Sequence, residues 1–351
     1  MGVDRGGWVG RIALLALLAS ACGSAAGTAA HGSPSSSTSP VGSPVATPTP
    51  SGAPASPSGA PSPVGGIAAN LVCRLAVISP ASGGEPPGGW VTFPGGVFVR
   101  DPASLSIRLD PHVPSYDRAI GAWVPVEVPN VAPDGASYVL HEGDTFNLVD
   151  AKTGNRRLIL SQVGPGGGSQ WQVVQYASEG IYLWTGDAGM APTVPGLWLL
   201  DQHTGSVRLV DGSHYWGMVG SGAAWALDEA GTRAIASKVH RLDLGTGQVS
   251  TLYDSKSAIR LLSPTPDGEM LIDYGETGSP RLALLTVSGT FVPVELPPAF
   301  PPIFSASQAP QGVWLAVYGS AWSGIALYVK GEGVTVMANS NYPLVAAGGC
   351  A

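Results

Sequence analysis

An all-β ring is the fold this sequence predicts, on three observations. One glycine mark recurs six times, at Gly96, Gly135, Gly180, Gly222, Gly268 and Gly312, at intervals of 39, 45, 42, 46 and 44 residues. A second also recurs six times, at Gly121, Gly154, Gly205, Gly247, Gly289 and Gly333, and trails the first by 19 to 25 residues in every copy. Between these marks the chain is rich in Val, Ile, Leu and aromatic residues, with no sustained helical period after its first 21 residues. A repeat of about 40 to 45 residues that folds into two hairpins has the size of one four-stranded blade. The expectation is therefore a six-bladed β-propeller over residues 67–351, with seven blades as the alternative.

Taken in order, residues 1–21 read as an export signal. Arg5 and Arg11 precede the apolar run Ile12 to Ala21, which is too short to span a bilayer. The run ends Leu18-Ala19-Ser20-Ala21-Cys22. This resembles the lipobox of bacterial lipoproteins and implies a diacylglycerol on the Cys22 thiol. Ala19 stands where the motif usually has leucine, so conventional cleavage after Ala21 is the alternative.

Residues 22–66 form the second region. From Gly23 to Gly66 there is no Asp, Glu, Lys or Arg, and Ser-Pro, Thr-Pro and Ala-Pro steps recur. Such a segment cannot bury enough apolar surface to offset its ordering entropy. It is expected to be a disordered stalk reaching up to roughly 130 Å if polyproline-like and about 40 Å as a flexible coil.

Cys73 and Cys350 lie near the two ends of the predicted ring, in a chain expected to be exported, where disulfides persist. They are expected to be bonded. Closing so long a loop restricts the unfolded chain by on the order of 5 kcal/mol in the chain-entropy model. The flanking pieces, Asn70 to Ser79 and Tyr342 to Cys350, read as strands without a blade and are expected to pair as a clasp; a stunted seventh blade built from them is the alternative.

Within the repeats, Asp150-Ala151-Lys152-Thr153-Gly154, Asp201-Gln202-His203-Thr204-Gly205 and Asp243-Leu244-Gly245-Thr246-Gly247 each follow an apolar strand. Asp accepts from amides two or three residues on, and Gly supplies positive φ, so these are turns rather than active sites. Together with Pro133-Asp134-Gly135, Pro266-Asp267-Gly268 and the variant Pro310-Gln311-Gly312, they resemble the repeats of TolB-type, WD-like bacterial propellers over about residues 90 to 338. The resemblance implies the fold and names no activity. The first repeat departs from it, with Phe93-Pro94-Gly95-Gly96, and the fifth has Leu285 to Gly289 in place of the Asp-x-x-Thr-Gly hairpin.

Chemistry is less legible. Gly-x-Ser-x-Gly and His-Glu-x-x-His are absent, and the histidines at 31, 112, 141, 203, 214 and 240 show no metal-ligand spacing on one element. The sequence thus points to no catalytic residue, cofactor or metal ligand. A site assembled from separate blades at the central channel stays open. Glu142 with Asp144, and Asp228 with Glu229, read as solvated surface rather than acid–base pairs. Nine tryptophans follow the stalk, most of them in strands, where they are expected to fill the space between blades.

Connections from an outer strand to the next inner strand, and from second to third strands, share one face of a propeller. The longest of them are Asp101 to Ser115, Val163 to Trp171, Gly186 to Gly196 and Pro297 to Pro302. His112, Tyr116, Trp171, Asp187 and His214 are the candidates for a ligand rim there. Net charge is −7 and there is no basic stripe, so nucleic acid is not an expected partner. The function expected is a non-catalytic binding module on the outer face of the cell membrane, touching the membrane only through its anchor and binding an extracellular protein or glycan. An extracellular carbohydrate- or peptide-active enzyme and a structural subunit are the rivals.

Overall fold

A computed structural model describes residues 66–79, 88–106, 113–142, 145–161, 164, 170–186, 192–230, 236–255, 259–274 and 281–350. The expected signal, Cys22, nearly all of the stalk, His112 and Asp187 lie outside the described residues. The strands in chain order begin with β1 (Cys73–Ile78), β2 (Gly88–Phe93), β3 (Val97–Arg100), β4 (Ser115–Asp117) and β5 (Ala122–Val124). There follow β6 (Ser137–Glu142), β7 (Thr145–Asp150), β8 (Arg156–Leu160), β9 (Gln170–Ala177), β10 (Gly180–Gly186), β11 (Pro192–Leu200) and β12 (Val207–Asp211). Next are β13 (Trp216–Gly220), β14 (Ala223–Ala230), β15 (Ala236–Asp243), β16 (Val249–Ser255), β17 (Arg260–Pro264), β18 (Met270–Asp273), β19 (Leu282–Leu285) and β20 (Phe291–Val294). The chain closes with β21 (Ile303–Ala309), β22 (Gly312–Val317), β23 (Ser323–Val329), β24 (Gly333–Ser340) and β25 (Val345–Cys350).

These strands build six antiparallel blades arranged as a propeller. Blade 1 is β25-β1-β2-β3, blade 2 is β6-β7-β8 with a bridge from Val131 to Tyr138, and blades 3 to 6 are β9–β12, β13–β16, β17–β20 and β21–β24. The hairpin β4-β5 is a separate two-stranded sheet. It packs on one side against blade 1, through Trp90, Ala76 and Ala347, and on the other against blade 2, through Leu140 and Val149. Buried apolar clusters fill every seam around the circle, ending with Phe93 and Leu75 of blade 1 against Trp314 and Ile325 of blade 6.

The end pieces do pair as a clasp, β25 with β1, and a disulfide joins Cys73 to Cys350 with Cα atoms 5.5 Å apart. They do not make a blade of their own. Instead β25 becomes the innermost strand of blade 1, so the chain enters the ring at that blade's second strand. This shifts the reading of the first repeat. Gly96 closes the β2-β3 turn, a third-to-fourth-strand position like that of Gly154, and Gly121 closes the extra hairpin β4-β5. The other five copies follow the expected frame.

Local chemistry explains the turns. Asp150 Oδ1 accepts from Thr153 N and Oγ1 at 2.7 and 2.8 Å, and Asp243 Oδ1 from Thr246 N and Oγ1 at 2.9 and 3.0 Å. Gly154, Gly205 and Gly247 take φ of 71 to 73°, a region that L side chains enter only with strain. Packing explains the strand composition. Middle strands are sandwiched between neighbouring blades and are buried throughout, as in β22 (GVWLAV) and β23 (SGIALYV), while the outermost β8 opens with exposed Arg156 and Arg157. Trp216, Trp225 and Trp314 lie wholly inside the seams. Each removes roughly 200 Å² from water, about 5 kcal/mol at 25 cal/mol per Å².

Candidate functional site

An antiparallel meander places its first-to-second and third-to-fourth turns at one edge of the ring, and its second-to-third and blade-to-blade connections at the other. His214 lies on such a connection, between β12 and β13, and its carbonyl accepts from Gly196 N of β11 at 2.8 Å. In the register between β13 and β14, Trp216 pairs with Ala226. Two residues back from Trp216 and two on from Ala226, His214 and Asp228 come opposite one another. Between β14 and β15, Ala226 pairs with His240 and Asp228 with Lys238, which makes Asp228 and His240 diagonal neighbours on one face. That face carries Ala224, Ala226 and Leu242 into the seam with blade 3. The three polar side chains therefore cap an apolar seam at the loop-bearing edge.

The geometry is tight. His240 Nε2 stands 2.9 Å and His214 Nε2 3.7 Å from Asp228 Oδ2, and the two imidazole centroids are 4.0 Å apart. One ligand atom from each residue lies within 4.8 Å of the others, the one such grouping of three or more His, Cys, Asp or Glu among the described residues. His240 is 6% exposed, and its Nε2, although 2.9 Å from Asp228 Oδ2, is counted among the buried atoms without a hydrogen bond. Burial, with His214 nearby, pushes the His240 imidazole below its ordinary value. The Asp228 side chain is 41% exposed, so the cluster opens to solvent on that side.

Each imidazole is held from behind. His214 Nδ1 is 2.6 Å from Ser213 Oγ, which is 2.5 Å from Asp211 Oδ1; the same carboxylate oxygen accepts from Trp216 Nε1 at 2.9 Å. Burial alone raises the Asp211 carboxyl, but donors from Ser213 and Trp216 outweigh it and hold the group below the usual range. His240 Nδ1 is 3.1 Å from Thr251 Oγ1 on β16. Two imidazole nitrogens, each ring backed by a hydroxyl, and one carboxylate oxygen form a donor set of the kind that holds a transition metal.

Of the rim residues expected from sequence, His214 joins this cluster. Trp171 does not stand on a rim: it is buried, its ring 5.3 Å from Trp198 in the seam between blades 2 and 3. Tyr116 is half-buried in an aromatic group, 4.5 Å from Trp90 and 5.5 Å from Trp123. Asp228, read from sequence as solvated surface, and His240, which showed no metal-ligand spacing there, are the members that reasoning along the chain missed. Their signal was their placement on either side of the β14-β15 turn, which makes them cross-strand neighbours. Glu142 is a surface group, paired with Arg156 at 2.9 Å.

No protein-family model and no curated protein matches the sequence. Solved structures similar to this chain include TolB from Acinetobacter baumannii, at 16% identity over 79% of this chain and 66% of that one, with a TM-score of 0.47. They also include an acylaminoacyl peptidase from Pyrococcus horikoshii (9% identity, 62% of this chain and 39% of that one, TM-score 0.44). A third is a 6-phosphogluconolactonase-like protein from Bacteroides fragilis (13% identity, 78% and 96%, TM-score 0.42).

Proposed function

We propose that this chain is an exported propeller, tethered by a lipid on Cys22 and held off the membrane by its stalk, that serves as a non-catalytic binding module for an extracellular protein or cell-wall glycan. The observation that carries this reading is where the exposed aromatic rings sit. Tyr215 (37% exposed) lies on the connection into blade 4, and Tyr318 (52% exposed) follows the second strand of blade 6. Both positions belong to the loop-bearing edge, which also holds the His214 cluster. The exposed aliphatics Leu158, Leu209 and Val292 fall instead on outermost strands. Amphipathic rings offer contact area to peptides and sugars at low entropic cost, and they are enriched where proteins bind.

Pull-down from cell-surface extract and a glycan array, run with the full chain and with Tyr215→Ala/Tyr318→Ala, test the reading. A specific partner lost in the double variant but retained in Lys152→Ala, at the opposite edge, is the expected outcome. A partner held equally by all three moves the working surface elsewhere.

A further inference from the structure

We infer that His214, Asp228 and His240 bind one divalent transition-metal ion of the zinc class, at the loop-bearing edge of the seam between blades 3 and 4. This goes beyond the binding-module reading and does not rest on it.

Proton placement makes the first argument. Ser213 has a single hydroxyl proton, and Asp211 Oδ1, 2.5 Å away, can only accept. The proton therefore goes to Asp211, and His214 Nδ1, 2.6 Å from the same oxygen, must be the donor in that contact. This leaves His214 Nε2, 3.7 Å from Asp228 Oδ2, as the ring atom facing the cluster, where a metal ion would be bound. The chain from Asp211 through Ser213 to His214 is also the backing that metal-bound imidazoles usually have: it fixes the tautomer and the ring orientation.

A buried nitrogen also stands unsatisfied. His240 is buried and its Nε2 has no hydrogen bond, although it reaches within 2.9 Å of Asp228 Oδ2. Buried polar atoms without partners are uncommon and call for a reason. A metal ion supplies one.

Distances fit the assignment. With bonds of about 2.0–2.2 Å, a tetrahedral ion separates its ligand atoms by about 3.3–3.6 Å. The 2.9 and 3.7 Å separations from Asp228 Oδ2 bracket that edge, and all three ligand atoms lie within 4.8 Å of one another. Two imidazoles with one carboxylate favour zinc, copper or nickel over calcium and magnesium, which take all-oxygen shells. Three protein ligands leave a fourth position on the exposed side of Asp228, open to water or to a donor group from a bound partner.

The test uses the full chain, stripped of metal by chelation and dialysis and then titrated with Zn²⁺ by calorimetry. Wild type is expected to bind one equivalent at this site. Asp228→Asn and His214→Ala should each weaken binding more than about 100-fold, and Ser213→Ala, which leaves the ligands in place, by about 10- to 100-fold. His203→Ala, on an exposed turn of blade 3, should leave binding unchanged. Melting curves of the zinc-free variants establish that they fold. Cobalt(II) bound to wild type provides a readout that needs no variant: the intense visible bands of a four-coordinate ion are expected. The assignment is overturned if wild type takes up no zinc, if Asp228→Asn and His214→Ala bind as wild type does, or if cobalt keeps the weak spectrum of its hexa-aquo ion.

Discussion

Asp101 and Asp228 occupy matching places: both lie at the loop-bearing edge, each in a seam between neighbouring sheets, each facing two nitrogen-bearing rings. Around Asp101, Trp90 Nε1 and Trp123 Nε1 donate to Oδ2 at 3.1 and 2.9 Å, and Ala103 N donates to Oδ1 at 3.0 Å. Burial alone raises this carboxyl, but those donors, with Arg74 adding its charge, hold it below the usual range. Arg74 also lies over the Trp90 ring, 4.5 Å from its centroid. The result is a satisfied clamp that fixes the hairpin β4-β5 to blade 1. Around Asp228 the rings are imidazoles, whose nitrogens can accept as well as donate, and one of them is left without a hydrogen bond. An indole can only donate, so an Asp–Trp pair is complete as it stands. An Asp–His pair offers lone pairs and has room for a cation.

The contrast predicts opposite responses to similar mutations. Asp101→Ala strands two partly buried indole N–H groups and should cost about 3 kcal/mol in denaturant unfolding. Asp228→Asn in the zinc-free protein should change stability by no more than about 1 kcal/mol, because its 41% exposed carboxylate is well screened. Equal costs at the two positions would erase the distinction between them.

A smaller effect separates the two sites by pH. Asp101 has a folded value below its ordinary 3.8, so its contribution is present above that pH and is lost as pH falls through the folded value. The folded value of His240 lies below its ordinary 6.5, owing first to burial and then to His214, with Lys238 adding to them and Asp228 opposing. The unfolded chain then binds the proton more tightly, and stability declines as pH falls from about 6.5 towards the folded value. Acid titration of the zinc-free protein should show both windows. His240→Gln should remove the upper one and Asp101→Asn the lower.

How much of this was legible in the sequence follows from how local each feature is. Turns such as Asp150 to Gly154 are made by five consecutive residues, so their repetition revealed the blades and the loop-bearing edge. The first repeat was misframed because blade 1 takes its innermost strand, β25, from the far end of the chain. No local pattern reveals that loan. The same limit hid the His–Asp–His group, since Asp228 and His240 meet only when β14 and β15 pair. Trp171 was misplaced for a related reason: its flexible-looking approach, rich in glycine, suggested exposure, while the seam that buries it is made partly by Trp198 on another strand.

Anomalous diffraction from crystals of the zinc-loaded protein, collected on either side of the zinc absorption edge, locates the ion. A peak is expected about 2.0–2.2 Å from the Nε2 atoms of His214 and His240 and from Asp228 Oδ2. A map with no peak among those three atoms would contradict the assignment.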